Sequence, residues 1–358
     1  MTQTHLFSPL TLRGITLRNR IAVSPMCMYS SEDGLANDWH LVHLGSRASG
    51  GAGLVIAEAT AVVPEGRITA DDLGIWSDAH IEPLVPVTRF IRAQGAIAGI
   101  QLAHAGRKAS THRPWGPNAG KPVRPDEPRG WQTVAPSPVP FTEAFPLPTA
   151  LAKSGIAAVV RAFGEAARRS LAAGFDVVEI HAAHGYLLHQ FLSPVSNQRT
   201  DEYGGDFANR TRILREVVEE TRRHWPERLP LVVRVSATDW VEGGWDGEQT
   251  VELARGLKGL GVDLLDCSSG GAAANVQIPV GPGYQTSFAA RVKHEAGLPS
   301  GAVGFITTPS QADHIVRTQQ ADLILLGREL LRDPHFPIRA AKELGHPLPV
   351  PPQYARAW

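Results

Sequence analysis

Short apolar runs rich in Val, Ile and Leu recur along the whole chain, and each gives way to a segment with helical periodicity. The runs fall at 21–24, 54–58, 97–101, 177–181, 231–236, 264–268, 302–305 and 323–326. Helical patterns lie between them at 155–173, 210–225, 250–260, 287–296 and 310–319, and Gly174, Gly261 and Gly297 stand near three of the expected stops. Strand followed by helix is the rhythm of a parallel sheet, and about eight such units close into a barrel. The sequence therefore predicts an α/β chain folded as a (β/α)8 TIM barrel, with residues 1–358 forming a single domain, because no linker or shift in composition divides them. The opening stretch 7–19 alternates apolar and polar residues around Gly14 and predicts a β-hairpin that plugs the lower end. A long Pro-rich stretch, 113–148, holds Trp115 and Trp131 and follows the third strand. It reads as an ordered excursion over the barrel mouth, with a partly disordered loop as the alternative.

Composition narrows the partners. Lys plus Arg (35) balances Asp plus Glu (35), so no net field favours nucleic acid or an anionic membrane. The first residues lack a basic segment followed by an apolar one, and no run approaches the ~18 apolar residues of a membrane span. A cytoplasmic protein is expected. Only Cys27 and Cys267 occur, far apart, which argues against a disulfide framework and a cysteine-held iron–sulfur cluster.

A barrel of this kind keeps its reacting groups at the C-terminal ends of the strands. Read together, those ends supply Ser24-Pro25-Met26-Cys27-Met28-Tyr29, Glu58-Ala59-Thr60, the stretch from Gln101 to Lys108, His181-Ala182-Ala183-His184-Gly185-Tyr186, Arg234, Ser268-Ser269-Gly270-Gly271, Gly304 and Gly327-Arg328. Two imidazoles and a phenol crowd one exit. No metal is expected there, since no third ligand follows their spacing and no H-E-x-x-H is present. A nucleophile elbow is also missing. The loops after the seventh and eighth strands carry Gly304 and Gly327, which let backbone N–H groups approach an anion, beside Arg328, so a phosphate-bearing ligand is expected. Gly50-Gly51-Ala52-Gly53 precedes its strand instead of following it, and no complete G-x-G-x-x-G opens a helix, which argues against a dinucleotide crevice. Flavin mononucleotide (FMN) fits these limits.

These segments, with Leu17-Arg18-Asn19-Arg20, Asn197-Gln198-Arg199-Thr200-Asp201-Glu202-Tyr203-Gly204-Gly205, Gly327-Arg328-Glu329-Leu330-Leu331-Arg332-Asp333-Pro334 and the closing Gln353-Tyr354-Ala355-Arg356-Ala357-Trp358, run through nearly the whole chain. In that order they resemble the old yellow enzyme family of FMN-dependent ene-reductases, in its thermophilic-like bacterial branch of NADPH dehydrogenases. The resemblance implies that Ser24, Pro25, Met26 and Cys27 run along the flavin, with Cys27 near its reactive edge. It implies that Ala59 and Gln101 contact the ring system, that Arg234 lies near N1 and O2, and that Gly304, Gly327 and Arg328 hold the phosphate. His181 and His184 would donate to a substrate carbonyl oxygen, Tyr29 would orient the substrate, and Tyr186 would supply the proton. Lys108 would line the site without a distinct step. NADPH would reduce the flavin and leave, and an activated alkene would take its place in a ping-pong cycle. Arg356 would reach a neighbouring subunit's site in a homodimer or homotetramer.

Other residues read as structural. Cys267 has no motif around it, His40 and His43 read as packing or surface groups, and Arg210, Arg212 and Arg215 as a solvated helix face. Two rival functions stay open on the residues alone. One is a colourless, metal-free lyase or isomerase on a phosphorylated metabolite; the other is a flavin-binding redox sensor that turns over no alkene.

Overall fold

The computed structural model describes residues 5–358. It opens on an antiparallel hairpin, β1 (Leu10–Leu12) and β2 (Ile15–Leu17), with Leu10 opposite Leu17. Next come β3 (Ile21–Val23), α1 (Asp38–Ser49), β4 (Leu54–Ala61), α2 (Ile81–Ala93) and β5 (Ile97–Ala103). The Pro-rich stretch adds a small parallel pair, β6 (Val134–Ala135) with β7 (Thr149–Ala150). Strand and helix then alternate through α3 (Lys153–Ala172), β8 (Val177–Ala182), α4 (Leu187–Leu192), α5 (Phe207–His224), β9 (Leu231–Ser236), α6 (Gly247–Gly259) and β10 (Leu264–Ser268). The last part holds α7 (Thr286–Arg291), β11 (Ser300–Ala302), α8 (Pro309–Arg317), β12 (Leu323–Leu326), α9 (Arg328–Arg332) and α10 (Phe336–Glu343). Strands β3, β4, β5, β8, β9, β10, β11 and β12 close a parallel barrel in chain order, so the expected TIM barrel and its N-terminal hairpin are both present. Asn37, Asp206, Asp246 and Thr308 accept hydrogen bonds from backbone N–H groups in the first turns of α1, α5, α6 and α8.

The period-two alternation of a strand sorts side chains between two cores. Val178 and Ile180 of β8, Val233 and Val235 of β9, and Leu265 and Cys267 of β10 pack with the helices around the barrel. Val177, Val232 and Leu264 join Ala22, Leu54, Ile56, Leu323 and Leu325 in a separate cluster inside it. Leu10, Leu12 and Leu17 of the hairpin belong to that inner cluster and stopper the N-terminal end. One further step of two along β8, β9 and β10 brings Glu179, Arg234 and Asp266 to the same inner face, above the stopper. The next brings His181, Ser236 and Ser268 to the strand ends.

The seventh strand departs from expectation. The run 302–305 reads as a strand, but the ladder occupies Ser300–Ala302 and breaks where Gly304 takes φ +116° and Phe305 φ +48°. Arg210, expected on a solvated face, is buried: its guanidinium donates to Leu192 O and to Gly205 O (3.1 Å), and lies 5.7 Å from the Trp245 ring centre. The Pro-rich stretch is ordered against the strand ends. Trp131 Nε1 donates to Glu65 O at 2.9 Å, Arg129 pairs with Asp71 at 2.6 Å, and Arg107 reaches back to Val139 O at 3.1 Å. Gly51 and Gly53 lie in the turn into β4, where a Cβ on Gly53 would meet Asn19 O at 2.5 Å; the glycine run serves packing. No helix among the described residues is long and apolar enough to cross a membrane.

Candidate active site

Strand β8 delivers His181 at its end, and the chain then turns sharply: His184 takes φ +59° and Gly185 φ +73°. A Cβ at Gly185 would stand 1.9 Å from Gly271 O, so the loops after β8 and β10 touch backbone to backbone and only glycine fits. The turn folds the three expected rings together. His181 lies 5.1 Å from the centres of both His184 and Tyr186, edge-on to each. The Ala183 N–H donates to His181 Nδ1 at 3.3 Å, which makes Nδ1 the acceptor and leaves the proton on Nε2. His184 Nε2 shares a 2.7 Å hydrogen bond with Ser268 Oγ from the end of β10. Burial, reinforced by the Arg234 guanidinium, holds both imidazoles well below the usual histidine range. Both therefore stand as neutral hydrogen-bonding groups. Burial pushes the Tyr186 hydroxyl up, with Cys27 adding to the shift.

Lys108, just beyond β5, ties this corner together. Its Nζ donates to His184 O at 2.8 Å and to Gly271 O at 3.2 Å, and lies 4.4 Å from the Phe141 ring centre and 5.2 Å from that of Tyr186. Burial, with Arg107 nearby, lowers its pKa to about 8.

Across the barrel, the segment after β3 is braced from behind. The β4–β5 ladder slips between Ala57 and Ala59, so Glu58 is the extra residue of a bulge that re-aims its side chain. Glu58 Oε2 accepts from Met28 N at 2.9 Å, while Oε1 lies 3.3 Å from His40 Nε2. His40 is thus a buried brace for the segment carrying Met26, Cys27 and Tyr29, a position its spacing near Trp39 did not reveal. Tyr29 adopts φ +49°, and Trp115 of the Pro-rich excursion packs edge-on to its ring at 5.7 Å. Burial raises the Tyr29 hydroxyl and, with Asp72 and Glu58, the Cys27 thiol. A cavity of about 900 Å3 opens beside Tyr29, lined among others by Arg67, Arg113, Asp71 and Trp131.

Between the two walls lie Gln101, Ser24 and Arg234. Gln101 Nε2 donates to Glu179 at 2.7 Å, and Arg234 donates to Ser24 Oγ at 3.1 Å while its Nε lies 3.0 Å from Asp266 Oδ2. Glu179 and Asp266 were not among the expected site residues, although an acid inside each of two apolar strands was the signal for them.

The glycine cradle after β11 and β12 is present. Gly304, Gly327 and Arg328 line one cavity of about 140 Å3, with Arg328 held 4.8 Å over the Phe305 ring. A Cβ at Gly304 would lie 2.7 Å from Gln285 Nε2, so that side is closed by the Gln285 amide and only glycine fits there. Donors suited to a phosphate at one end, and Arg234, Gln101 and Ser24 in the barrel mouth, fit a flavin mononucleotide. Arg356 is not gathered with these groups: it lies in the exposed turn Pro352–Ala357 and makes no hydrogen bond or ion pair among the described residues. No cluster of metal-ligating side chains occurs among the described residues.

Comparison with known proteins agrees with this geometry. The model of the NADH:flavin oxidoreductase / NADH oxidase family matches residues 5–346. An NADPH dehydrogenase of Bacillus cytotoxicus is 49% identical over 99% of this chain and 97% of its own length. Another from Bacillus subtilis is 49% identical over 99% of both chains. Among solved structures, morphinone reductase superposes with a TM-score of 0.80 at 28% identity, covering 98% of this chain and 93% of its own. An old yellow enzyme homologue from Zymomonas mobilis gives 0.76 at 27% identity, covering 97% and 94%. With the family's model spanning the strand ends just described, the chain belongs to the NADH:flavin oxidoreductase / NADH oxidase family of FMN-dependent oxidoreductases, the old yellow enzymes.

Proposed function

We propose that this chain, as one barrel domain, is an FMN-dependent NADPH dehydrogenase that reduces activated alkenes, small α,β-unsaturated carbonyl compounds among them. Membership of an oxidoreductase family removes the lyase or isomerase alternative. FMN, when bound, would supply the hydride chemistry between NADPH and the β-carbon of the alkene, in a ping-pong cycle. The protein's part is positioning, polarisation and proton delivery. His181 Nε2–H and His184 donate to the substrate carbonyl oxygen and stabilise the negative charge that develops there. Their neutrality suits this, since a donor need not be a cation. Tyr186 gives its proton to the α-carbon, and Lys108 fixes the loop that carries it. Tyr29 orients the substrate from the opposite wall. Ser24, Pro25, Met26, Cys27, Ala59 and Gln101 would line the flavin's ring system, Arg234 would face the pyrimidine end, and Gly304, Gly327 and Arg328 would hold the phosphate. The polarity of the site supports a small-molecule substrate, and we place the protein in the cytoplasm as a homodimer or homotetramer in which Arg356 enters a neighbouring subunit's site.

The observation that carries this reading is the fixed tautomer of His181 beside His184 and Tyr186, 5.1 Å ring to ring, facing the mouth in which Gln101 and Arg234 lie. The test uses purified protein loaded with FMN. NADPH should bleach the flavin's visible absorbance under anaerobic conditions, and cyclohexenone should restore it. Bleaching without restoration would instead identify a redox sensor, and no bleaching at all would sink the dehydrogenase reading.

A further inference from the structure

The middle layer of the barrel interior carries an unbalanced charge. Glu179, Arg234 and Asp266 come from neighbouring strands β8, β9 and β10, at most 5% exposed, so two acids face one guanidinium. The layer below is apolar, closed by the hairpin leucines. Arg234 does not satisfy both acids: it gives one N–H to Ser24, and its Nε lies 3.0 Å from Asp266 Oδ2 without being aimed at it. Glu179 Oε2 and both Asp266 oxygens are buried without a hydrogen-bond partner among the described residues. Two carboxylates left ionised in such a place repel each other and lack the hydrogen bonds that a buried charge requires, and the inexpensive remedy is a proton between them.

We infer that Glu179 and Asp266 act as a proton-holding pair beneath the flavin: together they keep one proton while the group above Arg234 is neutral, and take up a second from solvent when it becomes an anion. The inference rests on the proposed placement of Arg234 and Gln101 against FMN. No other charge in the layer competes. Gln101 on β5 is neutral, Gly301 on β11 has no side chain, His181 and His184 above are held neutral, and the Cys267 thiol beside Asp266 is pushed up and stays protonated. Burial raises both carboxyls above their usual range, Glu179 further through Asp266, while Arg234 opposes the rise in each. When negative charge gathers over Arg234, its hold on Asp266 weakens and the second proton becomes favourable. Glu179 adds a second link: ionised, it accepts from Gln101 Nε2 and leaves the amide oxygen free, whereas protonated it can donate to that oxygen and turn the amide round. Glu179 and Asp266 are thus positioning residues that act through Gln101 and Arg234.

Flavin reduction by a hydride equivalent brings two electrons and one proton to the cofactor; the pair adds one proton drawn from solvent. In a redox titration of the FMN-loaded protein between about pH 5.5 and pH 9, the reduction equilibrium should change about hundredfold per pH unit where the pair titrates, against tenfold for one proton, each tenfold step being 29.6 mV for two electrons. Replacing both acids, Glu179→Gln together with Asp266→Asn, should restore the tenfold dependence, because either carboxyl left alone can still take up the proton. The infrared difference spectrum, reduced minus oxidised, should show a protonated carboxyl band that shifts in D2O and is lost in the double variant. A tenfold dependence throughout in the native protein, with no carboxyl band, would overturn the pair. Gln101→Met separates that outcome from a misplaced flavin. Weakened FMN binding or a shifted visible spectrum in this variant supports the placement, whereas unchanged affinity and spectrum would show that the flavin lies elsewhere and overturn the inference with it. If a variant at 179 or 266 does not fold, the slope and infrared band of the native protein still decide.

Discussion

At the scale of single residues, burial does most of the chemical tuning. An ordinary histidine gains its proton near pH 6.5. His181 and His184 are held well below that by desolvation and by Arg234, so kcat/KM for an alkene should stay flat as pH falls from about 7.5 to about 6. A pH–rate profile with a histidine-like fall near 6.5 would contradict the proposed role of the two as neutral donors. Asp72 shows the opposite kind of shift. Its carboxylate is 1% exposed and accepts from Ile68 N, Thr69 N and Thr69 Oγ1, yet burial raises its pKa to about 7. A folded-state pKa above the unfolded value means that this group's contribution to stability is full below about pH 4 and is lost as pH rises through about 7. Asp72→Asn should therefore flatten the Tm-versus-pH curve over that window, as differential scanning calorimetry would show. The paired rings were legible in the sequence because a strand exit is a poor place to pack imidazoles. Glu179 and Asp266 showed only as acids within apolar strands, and their inward place was not legible, because adjacent residues of a strand point to opposite faces and no motif says which face is the inside.

At the scale of elements, three of the barrel strands begin and end where their apolar runs do: β9 and β10 throughout, and β12 at Leu323–Leu326. β4 and β5 run past theirs because Glu58 and Gln101 are polar but buried, which hydropathy alone reads as an end. β11 failed in the other direction. Its apolar continuation lies beyond a left-handed turn, and Phe305 ends half exposed over Arg328 instead of in the sheet. The hairpin was legible from its alternation around Gly14, and its energetic role is open to test. Leu17 is fully buried in the inner cluster, so Leu17→Ala should cost about 2–5 kcal/mol. Thermal melts should register that loss, while FMN binding well below the Tm stays unchanged, since the stopper lies at the end of the barrel away from the strand exits.

At the scale of the whole molecule, the last residues are the part least explained by the chain itself. Tyr354 and Trp358 are 43% and 40% exposed, and Trp358 lies near Lys342, with its ring centre 5.8 Å from Nζ. Removing 353–358 should raise KM for the alkene severalfold and leave FMN content unchanged if a neighbour's site depends on Arg356. Parallel loss of both would assign the segment to folding instead. Size-exclusion chromatography with light scattering would show whether the oligomer outlasts the deletion. The hairpin has a further consequence at this scale. With Leu10, Leu12 and Leu17 sealing one end, all traffic into the barrel is left to the strand exits. In the proposed cycle, a hydride donor and an acceptor that share those exits take turns, and the order of turnover is set as much by who has left as by who arrives.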